Sequence, residues 1–563
     1  MDPDQKKLLD ELLSTDIETT SFAKKLFFGV LDSRKVYPYP KRDSIDEYLE
    51  KVESFAREKI DPDLIDRKRE IPQEVIDGLK ELGVLGMTVP KEYGGLGMSQ
   101  QAYCRVTETL ARYCGSTTLF VNVHQSIGVR ALLLYGTEDQ KKKWLPDLAK
   151  GEKIAAFALT EPNAGSDASA VETRADYDAE KKVYRINGMK QWITSGSIAS
   201  VLTVMARTNE GISAFLVTPE MNGFHIKEPS LEKLGFRGTK TAILEFCEME
   251  VPEENLLGQL GKGLNVALSV LNYGRTTFGA LCNGVGKYLV KRAIHHAKTR
   301  YQFKRPLASF PLVKAKLSRM AARSYAMDAA TYAVADLIDR GEKDIMLETA
   351  MLKVFASEEL WSIIYDTMQI YGGRSFFTDE PFERLMRDAR LNMIGEGSNE
   401  VMRAFISGVG IRDVGLYFKK VSEGFKWPFS HIRLIGNFIR QEARDAMFLP
   451  KVPFKDAEMK RETQDLRKLI RAFSRLSKYL LIKHREGIVE KQLDLNRLTD
   501  ALMYIFTSLC VLSKREGEVD IGARRVAKFY CQESLKNAKT ALSYVGDPFD
   551  QEIESLSDML TAE

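Results

Sequence analysis

The sequence predicts an α+β multidomain chain in which helical regions flank an antiparallel β-domain and further helices follow at the C-terminal end. Three observations predict it. Apolar residues recur at helical spacing as far as residue 154. Short β-branched and aromatic runs replace them up to residue 262. Helical periodicity then returns from Gly263 onward. At 563 residues one core is too few, and three or four domains are expected.

Residues 1–43 read as an arm. Ser21 to Leu31 is amphipathic, and Val36-Tyr37-Pro38-Tyr39-Pro40 ends it on two prolines. Residues 44–154 read as an N-terminal α-helical domain. Ile45, Leu49, Val52 and Phe55/Ala56 repeat at 3.6 spacing behind an N-cap at Asp43 or Ser44. Val75 to Leu82 is a second helix, and Pro90 to Gly97 a loop. Gln100 to Tyr113 and Ser126 to Tyr135 read as buried helices, Glu138 to Ala149 as a surface helix. Residues 155–262 read as the β-domain, with strands at Tyr184–Ile186, Val201–Met205, Ala214–Val217 and Ala242–Phe246. Residues 263–412 hold long helices from Leu264 to Arg300, Leu312 to Arg340 and Asp344 to Tyr371, then a shorter one from Asn399 to Gly408. Gly415, Gly424 and Pro428 mark 413–428 as a linker. Residues 429–563 are a helical extension, with helices at Ala457–Lys483, Asp494–Lys514 and Ile521–Ser543.

Composition narrows the function. With 82 basic and 78 acidic residues the net charge is +4, which gives no whole-chain case for nucleic-acid binding. The six cysteines form no CxxC pair and the six histidines no HExxH constellation. A metal enzyme is not expected, and the thiols fit a reducing compartment. No run of about 18 apolar residues reads as a spanning helix. The acidic start lacks the apolar stretch of a secretory signal.

Three segments carry the chemistry. They are Phe157-Ala158-Leu159-Thr160-Glu161-Pro162-Asn163-Ala164-Gly165-Ser166-Asp167, then Gln191-Trp192-Ile193-Thr194, then Asn392-Met393-Ile394-Gly395-Glu396-Gly397-Ser398-Asn399-Glu400. Alone, Gly-Glu-Gly reads as a solvated turn, Trp192 as a core tryptophan and Thr160-Glu161-Pro162 as a turn ending a strand. In this order they resemble the acyl-CoA dehydrogenase family of flavoenzymes, over about residues 20–415. The resemblance implies that family's fold, in which a four-helix bundle follows the β-domain. It implies FAD-dependent α,β-dehydrogenation of an acyl-CoA to the trans-2-enoyl-CoA, the first step of β-oxidation. It places the catalytic base at Glu396, with a pKa raised by an apolar pocket. The donors on the thioester oxygen would be the base's own N–H and a flavin ribityl hydroxyl. Gly395 and Gly397 would let backbone approach the substrate. A minority of the family draws its base from the residue before an arginine. The matching stretch here is Asn272-Tyr273-Gly274-Arg275, where Gly274 has no carboxylate and Arg275 falls on the substrate wall. Ser166 matches a contact on the thioester side.

The same resemblance assigns the flavin ring to Phe157, Leu159, Thr160, Trp192, Ile193 and Thr194. It assigns the diphosphate and adenosine to Arg300 and Phe303, and to Gln369, Gly372 and Gly373, gripping FAD across the interface of a homodimer. Ser398 and Glu400 match further FAD contacts. No GxGxxG fingerprint is present. Three residues depart from the pattern: Gly395 where many members have Tyr or Phe, Ser398 for threonine, and Ser375 for the last glycine of a GGxG turn.

The extension, the arm and His124-Gln125-Ser126-Ile127-Gly128 resemble the very-long-chain branch, which implies long or very-long-chain substrates and an electron-transfer flavoprotein as acceptor. Phe425 to Phe438, basic and aromatic, reads as an interfacial segment, so peripheral membrane association is expected through the extension. The implied location is the bacterial cytoplasm at the inner membrane face, or the mitochondrial matrix for a processed form. An acyl-CoA oxidase and an assembly protein that keeps the fold are the rival readings.

Overall fold

The computed structural model describes residues 21–427 and 430–562. Pro428 and Phe429 of the aromatic segment, and residues 1–20 of the arm, lie outside them. Among the described residues the chain divides into two compact units, 42–320 with 356–398, and 21–41 with 321–355 and 399–562. The arm shares a unit with the extension, and the bundle region contributes to both units.

The first unit opens with helices α2 (Asp46–Lys59), α3 (Pro62–Lys68) and α4 (Gln73–Glu81), after α1 (Phe22–Phe27) of the arm. The expected cap at Asp43 or Ser44 is not formed; Ile45 occupies the N-cap without a side-chain bond. Helices α5 (Gln100–Ala111) and α6 (Gly115–Asn122) lead into a widened π-helical turn, Val123–Val129, then α7 (Arg130–Tyr135) and α8 (Glu138–Lys150). A plain helix from Ser126 was expected. The side chains explain the bulge, since Ser126 Oγ bonds the Asn122 carbonyl (2.6 Å) and Gln125 Oε1 accepts from Thr88 N and Oγ1. Buried His124 accepts from Ala155 N at Nδ1, so Nε2 carries the proton and donates to Leu148 O, each at 3.1 Å. Burial pushes its pKa down to about 4 and keeps it neutral. The turn therefore ties the helical region to the first strand. Helix α8, expected at the surface, buries Trp144, Leu145 and Leu148.

Eight strands follow: β1 (Ala155–Ala158), β2 (Arg174–Asp178), β3 (Val183–Thr194), β4 (Val201–Thr208), β5 (Gly211–Val217), β6 (Phe224–Glu228), β7 (Thr241–Pro252) and β8 (Leu256–Leu257). They pair in the order β6-β7-β3-β2-β4-β5-β8, with β1 on β4. The sheet is mixed rather than purely antiparallel, because β1 and one residue of β2 run parallel to β4. One apolar cluster covers the face toward the helices, including Val129, Leu145, Met205 and Val270; another, including Ile186, Val204, Phe215 and Leu244, fills the other face.

Helix α9 (Gly263–Thr299) then leads into a two-stranded hairpin, β9 (Tyr301–Gln302) and β10 (Arg305–Pro306). Helices α10 (Pro311–Asp339) and α11 (Met346–Tyr371) pass from one unit to the other, and α12 (Phe382–Asn392) returns the chain to the base segment.

The second unit is helical: α13 (Asn399–Lys426), α14 (Ile432–Met447), α15 (Lys460–His484), α16 (Gln492–Glu516), α17 (Ile521–Ser543) and α18 (Phe549–Thr561). The expected linker is instead the second half of α13. Buried Ile406, Val409, Ile411, Val414 and Val421 hold it helical despite Gly410, Gly415 and Gly424. Helix α1 is almost wholly buried here, with Phe27 edge-on to Phe473 at 4.8 Å and Phe22 against Phe506 at 6.0 Å. Ser21 Oγ and Ala23 N both donate to Glu348 Oε1 (2.9 and 2.8 Å). Buried Lys24 pairs with Asp344 and Asp413 at 3.0 and 3.3 Å. Among the described residues only α16 is long and apolar enough to cross a membrane, and 78% of that stretch is buried, as in a core helix.

Candidate active site

Helix α12 buries Phe382, Leu385 and Ala389 and ends at Asn392. The amides of Ile394 and Gly395 both donate to Leu391 O (2.9 and 2.8 Å), which coils the base segment onto the helix end. Glu396 then takes a left-handed conformation (φ +56°), followed by Gly397 at φ +99°. A non-glycine residue there costs about 1–2 kcal/mol, the kind of strain that collects at functional sites. The Glu396 carboxylate lies against Gly274 of α9. A Cβ on Gly274 would stand 2.6 Å from both carboxylate oxygens, so α9 needs glycine there for Glu396 to occupy the space.

Arg275 closes the other side. It is 3% exposed, and its Nε donates to the Glu396 carbonyl at 3.3 Å. Its Nη1 is buried without an acceptor among the described residues. Burial pulls the guanidinium pKa down to about 10, against the opposing pull of Glu396. Tyr273, beside Gly274, lies under the Arg130 guanidinium at 4.1 Å from its ring centre.

A second group forms where β1 ends beside β3. Phe157 and Leu159 pack on the helix-side core. Gln191 N donates to Thr160 O (2.9 Å) and Gln191 Nε2 to Glu161 O (3.2 Å). Beneath them Lys190 and Glu161 form a fully buried ion pair at 2.5 Å. Glu161 also accepts from the amides of Glu172 (2.6 Å) and Thr173 (3.2 Å). Burial works against the Glu161 charge, but Lys190 and these donors outweigh it and hold the carboxyl below its ordinary range. The β3–β7 pairing slips between Lys190 and Ile193. At this bulge Trp192 has φ +59° and is 62% exposed, turned out of the sheet. Ile193 is 2% exposed and points into the core, so only its backbone is available to a ligand. Thr194 is half-buried, and Ser166 is exposed beside Gly165, whose open side has nothing within 4 Å.

A third group lies at the end of α11. Gln369, Gly372 and Gly373 line a groove of about 490 Å³ with Trp361, Tyr365 and Phe376. A Cβ on Gly372 or Gly373 would meet nothing within 4 Å, so the backbone there borders open space. Ser375, which stands for the last glycine of this turn, is tied into it. Its buried hydroxyl lies within donating distance of the Met368 and Gly372 carbonyls (2.9 and 2.8 Å) and shares its one proton between these helix-end acceptors. Arg300 and Phe303 do not line the groove. They belong to the hairpin, whose two tip residues, Phe303 and Lys304, both have positive φ (51° and 62°). Phe303 is 87% exposed. Ser398 is half-buried after the base, and Glu400 is exposed in the first turn of α13.

One chain thus brings Glu396, Gly395, Gly397 and Arg275 together, and Phe157, Leu159 and Thr160 beside Trp192, while Arg300 and Phe303 of the hairpin are not among the residues that line the groove. Sequence reasoning passed over Lys190. Lys190 adjoins a motif, but nothing local shows that it is buried on Glu161.

Comparison with known proteins gives the family. The models of the acyl-CoA dehydrogenase N-terminal, middle and C-terminal domains match residues 43–152, 156–249 and 261–409. The human mitochondrial very long-chain specific acyl-CoA dehydrogenase is 33% identical over 95% of this chain and 86% of its own length. The chain belongs to the acyl-CoA dehydrogenase family. Among acyl-CoA dehydrogenases, the probable FadE10 of Mycobacterium tuberculosis is 32% identical, covering 94% of this chain and 86% of its own. The crystal structure of a Bacillus anthracis acyl-CoA dehydrogenase complexed with FAD superposes with a TM-score of 0.79 at 28% identity, covering 95% of this chain and 94% of that one. The butyryl-CoA dehydrogenase of Megasphaera elsdenii covers only 66% of this chain and 98% of its own, with a TM-score of 0.63 and 32% identity. Residues 457–561 match the ACAD9/ACADV C-terminal domain.

Proposed function

We propose that this protein is an FAD-dependent dehydrogenase of long- and very-long-chain acyl-CoA, forming the trans-2-enoyl-CoA. The observation that carries the reading is the Glu396 carboxylate, on a left-handed backbone and seated in the space left by Gly274. The residues present fit FAD. The open backbone at Gly372 and Gly373, the groove beside it and the outward-turned Trp192 offer surfaces for its two ends. FAD bound there would accept the β-hydrogen as hydride.

The chain's own residues do the rest. The Glu396 carboxylate takes the α-proton, and its N–H bonds the thioester oxygen as charge develops there. Arg275 holds the base's carbonyl from behind, and its Nη1 is left for the substrate side. Phe157, Leu159, Thr160, Trp192, Ile193 and Thr194 would hold the flavin ring. Arg300, Phe303, Gln369, Gly372, Gly373, Ser398 and Glu400 would hold the remainder of the cofactor. An aromatic residue that is 87% exposed on a strained tip packs poorly against its own chain. This supports a homodimer in which Phe303 reaches the partner's FAD. An electron-transfer flavoprotein is the proposed acceptor, in the bacterial cytoplasm or the mitochondrial matrix. Palmitoyl-CoA is expected to bleach the bound flavin's absorbance under anaerobic conditions. Bound flavin that no acyl-CoA reduces would overturn the reading, and stoichiometric peroxide in air would mark an oxidase instead.

Gly395 bears on substrate choice. A Cβ there would meet only ordinary contacts, Leu391 O at 3.5 Å and Leu391 Cδ1 at 3.7 Å, so its small size leaves usable space. Gly395→Phe is expected to lower kcat/KM for α-methyl-branched acyl-CoA by about tenfold or more relative to the straight chain, since pocket occupancy is worth about 1–3 kcal/mol. An unchanged ratio of the two rates would show that Gly395 plays no part in selection.

Helix α14 is the candidate for membrane association. Helix α14 exposes Ile432, Gly436, Ile439, Ala443 and Met447 in one stripe, flanked by exposed Arg433, Arg440 and Arg444. This supports interfacial binding to anionic lipid. Changing the three arginines to glutamate is expected to reduce co-sedimentation with anionic liposomes, and retention of binding would refute this role for α14.

A further inference from the structure

Helix α12 carries the base segment at its end, so whatever fixes α12 also fixes Glu396. The helix is gripped along one side by three residues in two turns. Arg384 pairs with Asp63 (3.0 Å) and Arg387 with Asp66 (2.7 Å), both on α3. Arg387 also donates to Leu234 O at 2.9 Å. The third residue, Asp388, is different. It is 6% exposed, and its Oδ1 accepts the Phe236 amide at 2.5 Å. Phe236 is itself buried with φ +49°, in the segment joining β6 to β7. The other oxygen, Oδ2, faces the first residue of α6, since a Cβ on Gly115 would stand 2.7 Å from it and 2.9 Å from the Phe236 ring. One carboxylate thus joins α12 to the β6–β7 segment and to the N-terminal end of α6. Burial raises its pKa to about 6, against the pull of the Phe236 amide and of Arg384 and Arg387. A buried charge of this kind is a poor choice for stability alone.

We propose that Asp388 is a positioning residue for the base: by locking α12 to the β6–β7 segment and to α6 it sets where the Glu396 carboxylate stands against Gly274 and Arg275. The proposal rests on Glu396 being the base. Between Asp388 and Glu396 the route is short and stiff. Asn392, one turn on, is fully buried with its Nδ2 on Cys282 Sγ (3.6 Å), and Gly395 is bonded back to Leu391 O (2.8 Å). A shift of α12 therefore passes to the base. Displacement of about 1 Å in a reacting group lowers rates by up to about 10²-fold.

The test compares the purified flavoprotein as wild type, Asp388→Asn, Gly115→Ala and Glu396→Gln. Asparagine keeps an acceptor for the Phe236 amide and removes the charge. Alanine at 115 leaves the charge and crowds the carboxylate. Both are expected to lower kcat about tenfold or more with KM within twofold, and to raise the isotope effect with α-deuterated acyl-CoA. The unfolding midpoint of Asp388→Asn should be unchanged or higher, because a buried charge has gone. If kcat and the isotope effect stay at wild-type values in both variants, the proposal is wrong. A rate loss that only follows a lower midpoint, with no change in isotope effect, would make Asp388 merely structural and also overturn it. Glu396→Gln keeps the readings apart. Full turnover in that variant would overturn the base assignment and this inference with it, whereas a dead Glu396→Gln beside normal Asp388→Asn and Gly115→Ala would overturn this inference alone.

Discussion

Glu396→Gln is expected to lower turnover by about 10³-fold, the range in which a general base contributes, while the flavin stays bound. Glutamine has the shape of glutamate, so the space beside Gly274 remains filled. The Arg275 bond is to the backbone carbonyl of residue 396 and survives the change. The amide cannot take an α-proton at neutral pH. Anaerobic bleaching by palmitoyl-CoA should therefore vanish in the variant, with the visible flavin spectrum intact. Bleaching at the wild-type rate would mean that another group removes the proton.

Lys190→Met is expected to be the most damaging single change to stability, at about 3–5 kcal/mol, because it strands the Glu161 carboxylate in the interior. Its pH dependence gives a second check. In the native protein Glu161 has a pKa held below its unfolded value. Its contribution is present above the unfolded pKa and is lost as pH falls through the folded one. Without Lys190, burial dominates and the sign reverses, so the variant should gain on the native protein as pH falls from 8 toward 5. The pair also supports the Leu159 carbonyl, to which Lys190 Nζ donates at 3.1 Å, so flavin affinity should weaken with stability. Chemical denaturation at both pH values measures the first effect and flavin titration the second. Equal losses at pH 8 and pH 5 would contradict the account.

Periodicity made the long helices legible. The helix expected over Ile521–Ser543 has those bounds, and Leu264–Arg300 differs by one residue at each end. What failed depended on contacts distant in sequence. Gly415, Gly424 and Pro428 read as a linker, yet α13 runs on to Lys426 because its apolar side is buried, and Phe27 packs over Gly410. The π-helical turn left no periodic trace, since side chains reaching Thr88, Leu148 and Ala155 produce it. In the candidate site, Glu396, Thr160 and Trp192 stood out only because their three segments follow one another in the order that the family resemblance requires. Lys190 and Asp388 did not, because a buried charge looks in sequence like any surface lysine or aspartate.

The burial of α1 has a consequence for synthesis on the ribosome. Phe22, Leu26 and Phe27 are made early, but Phe473 and Phe506, which cover them, follow more than four hundred residues later. At about 5–20 residues per second the arm waits roughly 20–90 s for its cover. During that interval its aromatic residues are exposed to chaperones and to neighbouring nascent chains. A chain released near residue 415 would never bury them. Premature termination in the extension should thus produce aggregation rather than a shortened working enzyme, and the arm, not the missing helices, would be the adhesive part.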